Sequence, residues 1–145
     1  MTSKRQASIE RRVHSAAEAA LARQNFVSPL DVLVGAGFVT GKQVSDWRFG
    51  RIPYLERVAT GGLGTLSRAM AVFRKWAIHR GLKARWTAYH GWGRARRIPL
   101  QFSKSGHVAI ERSYSTHFIR AVENNSLRNA PSEHDYPLLK PHSRP

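Results

Sequence analysis

The run HVAIERSYSTH, residues 107–117, carries His107, Glu111, Tyr114 and His117. On a helix, His107 and Glu111 are four positions apart, and Glu111 and Tyr114 three apart, so some of these side chains can meet on one face. Histidine and glutamate so placed can move a proton in phosphodiester cleavage, or hold a metal as a His–Glu–His set. Metal-dependent phosphodiester cleavage, however, gathers several carboxylates. This chain has nine acidic residues, with Glu133 and Asp135 in its C-terminal tail and none between 57 and 110. It has no HExxH, no GxSxG and no glycine-rich loop ending in Gly-Lys-Ser/Thr. Without cysteine it has no thiolate nucleophile, disulfide framework, iron–sulfur cluster or Cys-ligated zinc. The polar face of a solvated helix accounts for the four residues more simply. The expectation is a protein that is not an enzyme, with no cofactor and no metal.

Basic residues are the stronger signal. Lys and Arg number 24 in 145 residues, giving a formal net charge of +15. Solubility does not need so large an imbalance, and a polyanion partner explains it, nucleic acid before anionic membrane. Between Glu56 and Glu111 stand Arg57, Arg68, Arg74, Lys75, Arg80, Lys83, Arg85, Arg94, Arg96, Arg97 and Lys104, with no acid among them. Like charges at this density repel in a compact fold and are tolerable when some face phosphates. A merely solvated basic face is the plainer alternative. In FRKWAIHRGLKARWTAYHGWGRARR, residues 73–97, the cations alternate with Trp76, Trp86, Tyr89 and Trp92. Phosphates take Arg and Lys; unpaired bases take flat rings. Trp76 falls on a helical apolar stripe and reads as core. Trp86 and Tyr89 have opposite strand parity, so one of them should face outward. Backbone contact by arginine is favoured over base stacking. Ser103, Lys104, Ser105 and Gly106 precede a helix and can hold a phosphate there, or serve as a simple cap.

The elements that must position these residues follow from periodicity. Ile9, Val13, Ala16, Ala17, Ala20 and Leu21 make one apolar stripe, so 6–23 reads as a helix. Ser28 caps a short second helix opened by Pro29 and closed at Gly37. Thr40 caps a third, 41–49, with Val44 and Trp47 inward and Lys42, Gln43, Ser45, Asp46 and Arg48 outward; Gly50 stops it. Pro53 opens a fourth, TGGLG at 60–64 breaks the chain, and a fifth runs 65–80 to Gly81. After Gly81 the period shortens. Residues 85–92 and 98–103 read as a β-hairpin around an arginine-rich connection, its second strand confined to an edge by Pro99. Residues 106–122 return to helix, with Val108, Ile110, Tyr114, Phe118, Ala121 and Val122 inward. The expected class is mainly α with a small β-hairpin, an α+β fold over 1–122. The four prolines and scattered polar residues of 123–145 suggest a disordered tail.

A short support helix, a tight turn and a second helix with a polar outer face are the parts of a helix-turn-helix. Residues 29–36, 37–40 and 41–49 supply them. Two core helices joined by a glycine turn would look the same. The run VSDWRFGRIPYLERV resembles the Cro and XRE-type helix-turn-helix repressors, through Val44, Ser45, Trp47, Gly50, Pro53, Leu55 and Glu56. Coverage is residues 30–58. Arg48 stands where that pattern has Glu, and the turn before Val44 is one residue longer. The resemblance implies DNA contact by the helix at 41–49, and homodimerisation as an option. Gln43 and Arg48 have the chemistry to read adenine and guanine edges, and Lys42 suits phosphate.

The expected partner is therefore nucleic acid, DNA ahead of RNA, with candidate contacts Lys42, Gln43, Arg48, Arg51, Arg74, Lys75, Arg94, Arg96, Arg97 and Lys104. The alternatives are an RNA- or ribosome-associated factor and a non-catalytic module for an acidic protein partner. A DNA regulator should expose Gln43 and Arg48 on the side of Arg94, Arg96 and Arg97. An RNA factor should expose Trp86 or Tyr89 beside arginines. The N-terminal run starts basic, but no apolar stretch follows, and no window is long and apolar enough to cross a bilayer. The expectation is a cytoplasmic protein without membrane contact, with association to the nucleoid as an option.

Overall fold

A computed structural model describes residues 4–121. The expected disordered tail, 123–145, lies outside the described residues, as does Val122. The fold is mainly helical with a small antiparallel sheet, an α+β class. Its elements run α1 (Lys4–Arg23), β1 (Phe26–Val27), α2 (Pro29–Gly35), α3 (Gly41–Arg48), a 3-10 turn (Leu55–Arg57), α4 (Leu63–His79), β2 (Lys83–Trp86), a second 3-10 turn (Gly93–Ala95), α5 (Val108–Ser115) and β3 (Thr116–Ile119).

The helical half follows its apolar spacing. The stripe of α1 is buried at all six expected positions. Alpha-helix α1 packs on α2 and α4, and small residues set how close it comes. A Cβ added to Gly35 would lie 2.7 Å from Ala16 Cβ, so the α1–α2 approach needs glycine there. Ser28 and Asp31 form a reciprocal capping box at the start of α2. Thr40 and Gln43 form another at the start of α3. Gly37 and Gly50 follow these helices with φ of +85° and +79°, the left-handed region that closes a helix cheaply only with glycine.

Trp47 joins the halves of the chain. Its indole N–H donates to the Gln101 carbonyl at 2.8 Å, and its ring meets Phe102 at 4.7 Å between centroids. Phe102 in turn stacks on Tyr114 and meets Tyr89 edge-on. This aromatic cluster fixes where the 87–103 segment lies relative to α3.

Three expected elements differ. Pro53 does not open an α-helix; only the three-residue 3-10 turn forms. Backbone bonds from Leu55 and Glu56 to the carbonyls of Gln101 and Phe102 tie this stretch to a neighbouring chain segment instead of to itself. The expected hairpin, 85–92 with 98–103, shrinks to one bridge, His90 with Pro99, flanked by bonds from Gly91 to Ile98 and from Leu100 to Tyr89. Proline has no N–H to extend such a ladder. Strand β2 pairs with β3 instead, in the order β1-β3-β2.

The expected helix over 106–122 stops at Ser115. Thr116, His117, Phe118 and Ile119 form the central strand, where β-branched and aromatic side chains pack on both faces. Phe118 meets Phe73 of α4 edge-on at 5.3 Å. Within α5 only Tyr114 and Ser115 are buried; Val108, Ile110 and, beyond the strand, Ala121 do not face inward, and Val108 is 76 % exposed.

Candidate nucleic-acid interface

Helix α3 keeps Val44 and Trp47 inward and Lys42 outward as expected, but turns Arg48 inward as well. Val44, Trp47 and Arg48 make the inward stripe, at i, i+3 and i+4. Arg48 is 1 % exposed. Its guanidinium lies 4.6 Å from the centroid of the Trp92 ring and 5.1 Å from that of Tyr89, where aromatic faces attract a cation. The expected outward Arg48 is thus a core side chain, and it does not present itself to a base edge. Gln43 is half-buried, and its Oε1 accepts from the Thr40 backbone N–H at 2.9 Å, so that atom is committed to the cap.

Lys42 and Arg51 are exposed, but both are bound to one carboxylate. Lys42 Nζ and Arg51 Nη1 each lie 3.0 Å from an oxygen of Asp46. Those two hydrogen bonds hold the Asp46 carboxyl below its ordinary range. The outer face of α3 is therefore a paired cluster of two cations and one anion.

The arginine-rich segment lies against the end of this helix. Trp92 N–H donates to the Arg48 carbonyl at 2.6 Å, and the Trp92 ring meets Phe49 edge-on at 5.5 Å. The 3-10 turn Gly93–Ala95 then reverses the chain, with Ala95 buried under it. The reversal is tight: a Cβ on Gly91 would collide with the Ala95 backbone carbonyl. Arg94, Arg96 and Arg97 project from this turn and are exposed. Among the described residues none of the three stands in an ion pair. The structure thus brings Arg94, Arg96 and Arg97 beside the C-terminal end of α3, where the Arg51 guanidinium covers Phe49 at 5.1 Å.

Arg74 and Lys75 belong elsewhere. They are exposed on α4, and Lys75 lines a groove of about 470 Å³ between α1 and α4 with His14 and His79. Lys104 is exposed near the first 3-10 turn, its backbone N–H donating to Glu56 Oε1. The turn at 103–106 already holds an anion of its own. Glu111 accepts from the backbone N–H of Phe102 at 2.8 Å, from that of Ser103 at 2.7 Å and from the Ser103 hydroxyl.

The other residues with catalytic chemistry are likewise built into the fold. His107 caps α5 through Nδ1. The Tyr114 hydroxyl donates to Glu56 Oε2 at 2.8 Å, and burial with that carboxylate raises its pKa. His117 is fully buried, its Nε2 2.6 Å from the Tyr89 hydroxyl. Burial, helped by the charge of Arg85, pushes its pKa down to about 3.

All six acidic residues between positions 4 and 121 have such partners. Glu10 pairs with Arg68, Glu18 with Arg80 and the Trp76 N–H, Asp31 with Arg23 and the Ser28 cap, and Asp46 with Lys42 and Arg51. Glu56 and Glu111 bind Tyr114 and backbone amides. Of the two aromatic candidates, Tyr89 is 3 % exposed and Trp86 54 %. Trp86 stands on β2 with Arg112 Cζ 5.7 Å from its ring. Arg112, which the sequence reading did not single out, reaches it because Trp86 pairs with Thr116, one turn beyond Arg112. Among the described residues, no helix is long and apolar enough to cross a membrane. No protein-family model matches this chain, and searches of curated proteins and of solved structures find no match to it.

Proposed function

We propose that this chain is a small, non-catalytic nucleic-acid-binding protein that holds its polymer chiefly by phosphate contacts. The loop of Arg94, Arg96 and Arg97 makes the main contact, with Arg51 and Lys42 at its border. One observation carries the reading: the acids of residues 4–121 are engaged inside the fold, while the three loop arginines are exposed and unpaired among the described residues. Fixed cations without local counter-charges gain most from releasing the counterions of a polyanion.

In this reading α3 sits beside the polymer backbone and does not read bases. The burial of Arg48 and the capping role of Gln43 support that limit. A protein of this kind distinguishes polymers by shape and strandedness. The non-catalytic part of the reading is supported by the structural work of Glu111, Tyr114 and His117.

The test is binding of the purified chain to labelled duplex DNA, single-stranded DNA and structured RNA over a salt series. Affinity should fall linearly on a log–log plot. Replacing Arg94, Arg96 and Arg97 together by alanine should reduce the slope by about 2–3 and weaken every polymer alike. Absence of binding to all three polymers at low salt would end the proposal and leave an acidic protein as the partner to seek.

A further inference from the structure

We propose that Trp86 is a stacking platform for an unpaired base, so that the preferred polymer is single-stranded. This rests on the nucleic-acid reading above and goes further by naming the strandedness of the ligand and a second contact surface.

Strand β2 is an edge strand, and all four of its residues are exposed. Its register puts Ala84 and Trp86 opposite Phe118 and Thr116, on one face of the sheet. Lys83 and Arg85 stand opposite Ile119 and His117, on the other. The ring of Trp86 is thus presented at the rim of the sheet, with more than half its surface in water. A cation near an indole attracts it and helps fix its orientation; Arg112 does so here. The result is a flat, oriented aromatic surface with cations on both sides of the strand that carries it.

The charges choose among occupants. An open edge strand can accept a strand from another protein chain. Lys83 and Arg85 oppose that for a second copy, which would bring the same two cations to the same edge. For a single-stranded nucleic acid the arrangement is complementary. A base has the ring face of Trp86 that Arg112 does not cover. Arg112 is at hand for a phosphate on that side, and Lys83 and Arg85 stand across the strand edge for the backbone that runs past it. A duplex keeps its bases stacked inside and cannot offer one to the ring, so Trp86 discriminates by strandedness.

The experiment uses the full chain and fluorescein-labelled oligodeoxythymidine, oligouridine and a mixed-sequence duplex, each about 12 nucleotides or base pairs long. Trp86→Ala should weaken binding to both single strands roughly tenfold and leave the duplex within about twofold. Trp86→Phe should keep most of the single-strand affinity. Trp86→Leu, equally apolar but not flat, should behave like alanine, which separates stacking from packing even if one variant folds poorly. The native chain should bind both single strands more tightly than the duplex, and tighter binding of the duplex overturns the proposal; which single strand it prefers tells RNA from DNA.

Equal single-strand affinity of Trp86→Leu, Trp86→Phe and the native chain overturns the platform. If salt-dependent binding to all polymers persists in that case, the phosphate reading survives it. If the native chain binds none of the oligonucleotides, both fall. Self-association lost in Trp86→Ala, with oligonucleotide affinity unchanged, identifies a second copy as the occupant and also overturns the platform.

Discussion

Helix α3 and the loop at 93–97 are neighbours, joined by the Phe49–Trp92 contact and the bond from Trp92 N–H to the Arg48 carbonyl. Both carry arginine, yet they differ in what is left for a partner. Arg48 is inside, against two rings, and the cations around Asp46 share its charge. Arg94, Arg96 and Arg97 are outside, with no ion pair among the described residues. A net charge of +15 does not locate an interface. Packing and internal ion pairs only narrow the candidates. Arg74, Lys75, Lys83, Arg85 and Lys104 are also exposed and outside the ion pairs of the described residues, and the loop differs from them in gathering three such arginines at one turn.

The most forceful way to break this contrast is at Arg48. Truncating a buried side chain that fills the space between Trp92 and Tyr89 should cost about 3 kcal/mol of stability, read as a lower melting temperature. Arg48→Met, which keeps the stem and much of the volume, should recover part of that loss. Affinity for duplex DNA, corrected for the folded fraction, should not change. If Arg48→Ala melts like the native chain and binds duplex more weakly, Arg48 reaches the polymer and the two regions are not distinct.

His117 extends the contrast to the group with catalytic chemistry. Burial keeps it neutral in the fold, with its pKa near 3 against 6.5 for the free side chain. As pH falls the unfolded chain gains this proton and the folded chain does not. The stability that depends on a neutral His117 is complete above pH 6.5 and is lost progressively down to pH 3. Between pH 7 and pH 5 the loss should be about 2 kcal/mol, measured as a shift in urea midpoint. His117→Asn, with no proton to take up, should lose that part of the pH dependence. An unchanged profile in His117→Asn would show that His117 titrates freely and is available to solvent.

Much of this was legible from residue types alone, for reasons that differ by region. The helices α1, α2, α3 and α4 were legible because caps and apolar stripes are local: Ser28, Thr40, Gly37 and Gly50 act within a turn of the residues they order. Arg48 lies inward because it stands at i+4 from Val44, beside Trp47 at i+3; its charge alone points the other way. The sheet is not legible in the sequence because its pairing is non-local. Strand β2 passes over a nearby partner at 98–103 for one at 116–119, and the four residues THFI carry too short a pattern to reveal that. One of Trp86 and Tyr89 does face water, but not by strand parity, because β2 ends at Trp86; Trp86 lies on the sheet edge, and Tyr89 packs into the core beyond it. Ser103 to Gly106 were expected to hold a phosphate or cap a helix; the backbone N–H groups of Phe102 and Ser103 bind Glu111 instead, a partner that depends on how α5 folds back over the turn.

The finest adjustment of the contrast is Asp46→Asn. In the native chain Asp46 draws both Lys42 and Arg51 onto itself, so the border of α3 offers a polymer less than its two exposed cations would. Asparagine keeps the shape and a hydrogen-bond acceptor but removes the charge. The pair is exposed, so folding stability should barely move at neutral pH. Polymer affinity at low salt should rise by about twofold, and the rise should disappear at high salt as screening takes over. The same substitution in the Arg94, Arg96, Arg97 triple-alanine chain is the sharper form. If α3 borders the polymer only by way of the loop, freeing Lys42 and Arg51 there restores little. Full restoration of affinity would show that α3 is itself the principal contact, and that Asp46 rather than packing limits it.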